Sequence, residues 1–344
     1  MKTDIKSLFP EELAECAALQ GQPKYKAKQI FSWLNKGVVS FEDMSDLSKS
    51  LRASLEEEFF ITAPTPIQKQ VSKLDGTIKY LWQLGDGNAV ETVVMSYKHG
   101  NTVCISTQVG CRQGCAFCAS TIGGLVRDLS PAEMLDEVLF SQLDSGLEIS
   151  NIVLMGIGEP LDNFDNVVRF LGLVNHPEGM NIGMRHISLS TCGLTEKFDR
   201  LAQLNLQLTL SISLHAADDE LRSTLMPANR GRGVAELMAA CKRYYKRTGR
   251  RISFEYAMID SVNDSPRDAR LLAKCAAEVG AHVNLIPLNT VEERKFQPSK
   301  PENLKKFVKI LEDSGVNVTV RRKLGSDVDA SCGQLRRKTI NSRN

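Results

Sequence analysis

The residues with the most chemistry in them lie in one short run, Cys111-Arg-Gln-Gly-Cys115-Ala-Phe-Cys118, directly after an apolar, strand-like stretch from Thr102 to Thr107. The thiols stand at C-x3-C-x2-C spacing. Thiolates are soft ligands suited to iron–sulfur clusters and to zinc. Three of them in one loop can hold three corners of a four-iron cluster and leave the fourth iron open to a chelating substrate. Structural zinc instead wants four closed ligands, commonly in C-x2-4-C pairs. No second pair of that kind exists; the next cysteine is Cys192 and the nearest later histidine is His176. The loop predicts redox chemistry rather than metal storage.

A loop of this kind has to be held by something rigid. From residue 101 onward the pattern alternates strand, loop and helix. Strands are predicted at 102–107, 150–155, 186–190, 206–213, 251–258 and 282–286, with a short one at 317–321. Amphipathic runs such as Met134/Leu135/Val138/Leu139 and Leu304/Phe307/Val308/Leu311 fall between them. Such alternation implies a parallel sheet with helical crossovers. The units are too few for a full eight-stranded barrel, so the expected fold class is α/β, an open partial (β/α)6 barrel. Active residues of parallel α/β barrels lie just past the C-terminal ends of strands. Here Gly156-Ile-Gly158-Glu159-Pro160 follows the second strand, and Ser190-Thr191 closes the third. Ser213-Leu214-His215 closes the fourth and Pro287-Leu-Asn289 the sixth. Several polar strand ends therefore open on the same rim as the cysteine loop.

Ahead of this core, residues 1–64 read as a small helical unit. Pro10-Glu11-Glu12 opens one helix, Ala27/Ile30/Phe31/Leu34 marks a second, and Leu47 to Phe60 a third. Ala63-Pro64-Thr65-Pro66 reads as a linker. Within 65–100, Thr77 to Leu84, a Gly85-Asp86-Gly87-Asn88 turn and Val90 to Met95 predict a β-hairpin extension. The barrel is expected over 101–324, and a tail over 325–344 carries Cys332.

The chain has 344 residues and a net charge of only +2, so total charge does not announce a nucleic-acid binder. Its distribution says more. Lys242 to Arg251 carries six cations and two tyrosines, and the end adds Arg321, Arg322, Lys323, Arg336, Arg337, Lys338 and Arg343. Basic stripes of this kind are the footprint expected for phosphate backbones, or a solvated helix face. The nine cysteines are dispersed and odd in number, unlike a secreted disulfide framework. No apolar run reaches membrane-spanning length and no leader pattern opens the chain. A reducing, cytoplasmic setting is expected, with no membrane partner, and nothing calls for more than a monomer.

Taken together, these residues resemble the RlmN/Cfr family of radical-SAM RNA methyltransferases along nearly the whole chain. Gln22-Pro-Lys-Tyr-Lys-Ala-Lys-Gln-Ile-Phe-Ser-Trp-Leu34 resembles the accessory RNA-binding domain of that family. Thr107 to Ser120 resembles its cluster loop, with Phe117 as the aromatic that commonly precedes the last cysteine. Val320 to Leu335 resembles its reactive-cysteine loop. The resemblance implies that Cys111, Cys115 and Cys118 bind a [4Fe–4S] cluster whose open iron takes S-adenosylmethionine (SAM). It also implies SAM contacts at Gly158, Glu159, Ser190, Ser213, Leu214, His215 and Asn289, with Glu159 accepting from the SAM amino group.

An adenine ring carbon is not nucleophilic, so polar methyl transfer is unfavourable there and the cofactor must supply radical chemistry. The family mechanism implies two SAM molecules per turnover. One methylates the thiolate of Cys332, and the other is split to a 5′-deoxyadenosyl radical that takes a hydrogen from the S-methyl group. The carbon radical adds to adenine. Cys104 then resolves the protein–RNA adduct by forming a transient disulfide with Cys332, and Glu91 accepts the proton from the ring carbon. Read alone, Cys104 is equally a core residue and Glu91 equally the polar side of an edge strand. Cys16, Cys192, Cys241 and Cys275 read as structural.

The substrate also follows from the resemblance: adenosine 2503 of 23S rRNA, methylated at carbon 2 (RlmN) or carbon 8 (Cfr), and in some members adenosine 37 of tRNA. The proline of Gly-Ile-Gly-Glu-Pro and the form of the tail are more RlmN-like, which favours carbon 2. Ile157 stands where methionine is usual, a volume-conserving swap. An external electron donor, flavodoxin-like or equivalent, is a further implied partner. The rival readings are carbon-8 methylation, a radical-SAM enzyme for another substrate, and a non-catalytic metal-containing RNA-binding module.

Overall fold

The computed structural model describes residues 2–328 and 335–336. The N-terminal unit contains a two-residue strand β1 (Thr3–Asp4) and the helices α1 (Pro10–Glu15), α2 (Tyr25–Leu34) and α3 (Lys49–Glu58). Proline opens α1, and the Glu12 carboxylate accepts from the orphan Phe9 N–H at 2.8 Å. The predicted third helix stops short, because Phe59–Phe60 leaves it as β2 and pairs in parallel with β1. Ile5, Leu13, Ile30, Phe31, Leu51 and Leu55 form a separate core, which Leu173 from the barrel joins. Lys6, fully buried, fixes the unit to the barrel by pairing with Asp136 at 2.7 Å and donating to the Thr62 carbonyl at 2.7 Å.

The predicted linker is already sheet. β3 (Thr65–Val71), β4 (Ile78–Gln83), β5 (Ala89–Tyr97) and β6 (Gly100–Cys104) form an antiparallel run. β7 (Gln108–Gly110) and β8 (Leu125–Asp128) make a small ladder beyond β6, and α4 (Pro131–Ser145) follows. Parallel strands then alternate with helices: β9 (Ile149–Leu154), α5 (Phe164–Asn175), β10 (Ile187–Thr191), α6 (Phe198–Gln203), β11 (Thr209–Ser213). Two helices, α7 (Asp219–Leu225) and α8 (Gly233–Thr248), precede β12 (Ile252–Met258). α9 (Pro266–Val279), β13 (His282–Pro287), α10 (Pro301–Asp313) and β14 (Val318–Val320) complete the series. The crossovers have sharp boundaries: Ser130 and Ser265 cap α4 and α9 with Pro at their first position, and left-handed Gly146 and Gly280 end them.

The order β14-β13-β12-β11-β10-β9-β6-β5-β4-β3 is one ten-stranded sheet. The partial barrel expected from sequence is present. The hairpin differs from expectation in being continuous with it, through five paired positions between β5 and β6. The outer faces of the strands carry Val103, Ile152, Leu189, Ile212 and Phe254 into the helix-covered core. The inner faces of the central strands are polar. Ser188 meets Ser211 at 3.0 Å, Ser190 meets Ser213 at 3.2 Å, and Ser253 and Asn284 donate to Glu255 at 3.0 and 2.7 Å. This lumen leads to the rim where the loops gather.

Candidate active site

The cysteine loop is closed at its base by the β7–β8 ladder. There the Cys111 N–H donates to the Gly124 carbonyl at 3.0 Å. Gly110 sits at φ +80°, and a Cβ on it would lie 2.1 Å from that same oxygen, so only glycine lets the two strands close. The Thr121 hydroxyl donates to the carbonyls of Cys115 at 3.2 Å and Cys118 at 3.0 Å. Arg294 lies across the loop, donating to the Cys118 carbonyl at 3.3 Å and to Thr121 at 3.1 Å. From below, the Ala116 N–H donates to the Leu225 carbonyl at 2.8 Å. The loop is therefore braced on three sides.

Cys111, Cys115 and Cys118 line one cavity of about 280 Å³. Gly158, Glu159, Ser190, Ser213, His215 and Asn289 line the same cavity. Leu214 is fully buried beside them, with its N–H donating to the Glu255 carbonyl at 3.0 Å. Among the described residues no three His, Cys, Asp or Glu side chains converge on the position of a single metal ion. Burial pushes the Cys111 thiol up to about 12 and raises Cys115 as well. A thiol raised in this way ionises where a metal or a neighbouring cation supplies the compensating charge.

The glycine and glutamate of the second strand end line the cavity and also hold its loops together. Gly158 has φ +113°, and a Cβ there would come within 2.7 Å of Thr107 Oγ1 and Gln108 Cβ. It lets the loop close on the segment after β6. Both Glu159 oxygens serve the backbone: Oε1 accepts from Leu161 N at 3.0 Å and Oε2 from Cys192 N at 2.7 Å. Burial raises its pKa from the ordinary carboxylate value. The carboxylate thus braces two strand-end loops while lining the cavity.

His215 adopts φ 55°. Its Nδ1 accepts from Ala257 N–H at 2.9 Å, which puts the ring proton on Nε2. Burial, with Arg222 adding to it, drives its pKa down to about 3, so it is a neutral donor. Its ring meets Phe117 edge-on, with centroids 4.9 Å apart, joining the fourth strand end to the cysteine loop.

Residues 105–273 match the radical SAM superfamily, and residues 3–61 match the ribosomal RNA large subunit methyltransferase N-terminal domain. A probable dual-specificity RNA methyltransferase RlmN of Alkaliphilus metalliredigens is 50% identical over 98% of this chain and 96% of its own. Another, of Clostridium perfringens, is 50% identical over 97% of this chain and 96% of its own. The crystal structure of a radical SAM methyltransferase from Sphaerobacter thermophilus superposes with a TM-score of 0.91 at 43% identity, covering 96% of this chain and 98% of that one. The chain belongs to the RlmN family of radical SAM RNA methyltransferases. Membership of the superfamily implies SAM and a [4Fe–4S] cluster. The donor set fits both: three thiols on one braced loop, Cys111 buried and Cys115 and Cys118 half-buried, facing a cavity edged by hydroxyls and a neutral imidazole.

A smaller cavity of about 110 Å³ adjoins the first, sharing Ile286, Asn289 and Arg321 with it. Cys104, the last residue of β6, lines it with Val93 and Met95. Glu91 stands on the same face of β5. It is 3% exposed and pairs with the fully buried Lys79 at 2.9 Å. Because β5 is paired on both sides, the edge-strand reading of Glu91 falls away. Cys332 lies outside the described residues. The chain before it is fastened to the β3–β4 turn, where Gly325 N–H donates to Asp75 at 2.8 Å and Asp327 accepts from Ser72 at 2.6 Å. After it, Arg336 N–H donates to Glu91 Oε1 at 2.6 Å and Leu335 is buried.

Sequence reasoning missed Lys79, Glu255 and Arg222. The alternating Ile-Ser-Leu-Ser and Leu-Ser-Ile-Ser of β10 and β11 was the available signal for a polar lumen, since parallel strands buried on both faces read as continuous apolar runs. The stripe from Lys242 to Arg251 lies at the wrong end for the site. α8 returns toward the base of the barrel, and Gly249–Arg251 lead straight into the first residue of β12. Lys242 pairs with Glu278 at 2.8 Å and Arg243 with Asp199 at 3.3 Å.

Proposed function

We propose that this enzyme methylates carbon 2 of an adenine in RNA, at adenosine 2503 of 23S rRNA and at adenosine 37 of tRNA, through a methyl group carried on Cys332. The observation that carries the reading is that Cys104 lines a void sharing Asn289 and Arg321 with the cysteine-loop cavity, while Glu91 lies on the same face of β5 as Val93, the residue paired with Cys104. The description dual-specificity carried by the relatives supports two RNA substrates.

The residues divide the work. Cys111, Cys115 and Cys118 hold the cluster, while Gly158, Ser190, Ser213, Leu214, His215 and Asn289 cradle SAM. Glu159 shapes the cradle by bracing its loops. The bound cofactors supply the radical chemistry that an unreactive ring carbon requires. Cys332 presents the methyl group to the base. The carboxylate of Glu91, held by Lys79, accepts the proton released from the ring carbon. The Cys104 thiolate attacks the Cys332 sulfur, so that the S–S bond forms as the S–CH2 bond to the RNA breaks. The carbon leaves with the electron pair and takes up a proton to become the methyl group, and the disulfide returns to two thiols by external reduction.

A base inside folded RNA must be extruded to enter such a pocket, at a cost of a few kcal/mol of unstacking. Arg321, Arg322 and Lys323 line the smaller cavity where the chain leaves β14. They stand where phosphates of an extruded nucleotide would pass, and phosphate contacts offset the unstacking. This assigns the RNA face to the rim.

The test is anaerobic turnover of cluster-reconstituted protein with SAM, a reductant, a 23S rRNA fragment and tRNA, followed by digestion and mass spectrometry. The expected product is 2-methyladenosine, absent with Cys332→Ala. With Cys104→Ala, RNA should accumulate crosslinked to protein. An 8-methyladenosine product, or full turnover by Cys332→Ala, would overturn the proposal.

A further inference from the structure

Arg222, on α7, is 2% exposed, yet all its hydrogen-bond partners among the described residues are neutral. Nε donates to the Leu214 carbonyl at 3.0 Å and Nη1 to Asn229 Oδ1 at 2.6 Å. Nη2 donates to the carbonyls of Cys192 at 2.7 Å and Ser213 at 3.2 Å. A guanidinium keeps its charge in proteins, and a buried charge without an opposite one is strongly unfavourable. Asp219, exposed to solvent, is reached only through Asn229, whose amide donates to it at 3.0 Å.

The guanidinium holds the strand end that carries Cys192, bonding the carbonyl of that residue and lying 3.6 Å from where a Cβ on Gly193 would stand. Its own helix is joined to the cysteine loop, since Leu225 accepts from Ala116, the residue after Cys115. Gly114 packs against Pro227, just past that helix, with an added Cβ 3.5 Å from the ring. The arginine therefore lies directly behind the wall that carries the metal-binding thiols.

We propose that Arg222 is the buried counter-charge of the metal centre, offsetting the negative charge of the thiolate-held cluster and favouring its one-electron reduced state. This rests on the reading that Cys111, Cys115 and Cys118 hold a [4Fe–4S] cluster. In the reduction, the external donor loses one electron, the cluster gains it, and no bond or proton moves. Each added electron places a further unit of negative charge near the arginine. A fixed cation in a poorly solvated interior makes that addition easier and raises the reduction potential. Arg222 acts through the cluster and not on the substrate, so it is a positioning residue. The competing account is that it merely ties the ends of β10 and β11 together.

The experiment compares wild type with Arg222→Gln, Arg222→Lys and Asn229→Asp. Each is reconstituted anaerobically, assayed for iron and sulfide, and titrated with a reductant while electron paramagnetic resonance follows the reduced cluster. Arg222→Gln at full iron content should move the midpoint to lower potential. Arg222→Lys, which keeps the charge, should stay near wild type. Asn229→Asp sets a carboxylate against the guanidinium and should lower the potential with the arginine still in place, which carries the test if Arg222→Gln does not fold. An unchanged midpoint in Arg222→Gln or Asn229→Asp at full iron content overturns the proposal. So does an equal drop in Arg222→Lys. Wild-type protein that takes up no iron would instead overturn the cluster assignment, before any titration begins.

Discussion

Two cation-rich stretches of this chain, Lys242 to Arg251 and Arg321 to Lys323, are alike in composition and opposite in position. The first ends α8 and enters β12 at the base of the barrel, where two of its cations are in ion pairs with Glu278 and Asp199. Its Tyr244 is buried in the core, and Arg250 donates to the Leu208 carbonyl at 3.4 Å. The second follows β14 and lines the cavity that holds Cys104. Charge count alone would rank the first as the RNA site. What decides is the end of the barrel at which a segment emerges, because helices run back against the strands they connect. The cysteine-loop cavity thus opens at the rim, and the α8 cations lie at the base.

The sharpest test of that division is Cys118→Ala at the rim. It should abolish the iron chromophore and all RNA methylation while circular dichroism stays that of a folded chain. Loss of fold instead would make the loop a structural element and erase the contrast. Next in size is Lys79→Met in the lumen between the two ends. Removing one partner of a buried pair takes the Lys79 cation from Glu91 and should cost about 3–5 kcal/mol in denaturant unfolding. A cost under about 1 kcal/mol would mean the pair behaves as a solvated one.

Reversing Arg321, Arg322 and Lys323 to glutamate should weaken RNA binding roughly 10- to 100-fold and flatten the slope of log affinity against log salt by about 2. The same reversal of Lys246, Arg247, Arg250 and Arg251 should leave both nearly unchanged. Equal losses from the two reversals would break the comparison. The last effect, read against pH, concerns His215. The unfolded chain protonates it near 6.5, whereas burial holds it down to about 3 in the fold. Above pH 6.5 it is neutral in both states and contributes its full share. As pH falls from 6.5 toward 3, the unfolded state takes up a proton the folded state refuses, and stability drops by roughly 1.4 kcal/mol per unit. His215→Gln, whose amide oxygen can still accept from Ala257, should remove that slope in unfolding titrations. An unaltered slope would mean that the ring is protonated in the fold.

The donor set and the strand ends were legible because their signals are local. C-x3-C-x2-C spacing is a property of eight neighbouring residues, and the alternation of apolar runs marks β10 to β13 to within a few residues. The same locality misled at β3, where Thr65 and Pro66 signal a turn but pair with Gln83 and Trp82.

The sequence by itself determined which chemistry is available: three thiols for a cluster, a glycine-rich strand end, a basic tail and a chain of alternating elements to carry them. Tertiary structure alone decided what meets what. It joined the hairpin to the barrel so that Glu91, Lys79 and Cys104 stand on one face of the sheet. It sent the α8 cations to the base and buried Arg222 behind the cysteine loop. Ligand type is written in single residues, whereas burial and proximity arise only when distant segments pack together and exclude water.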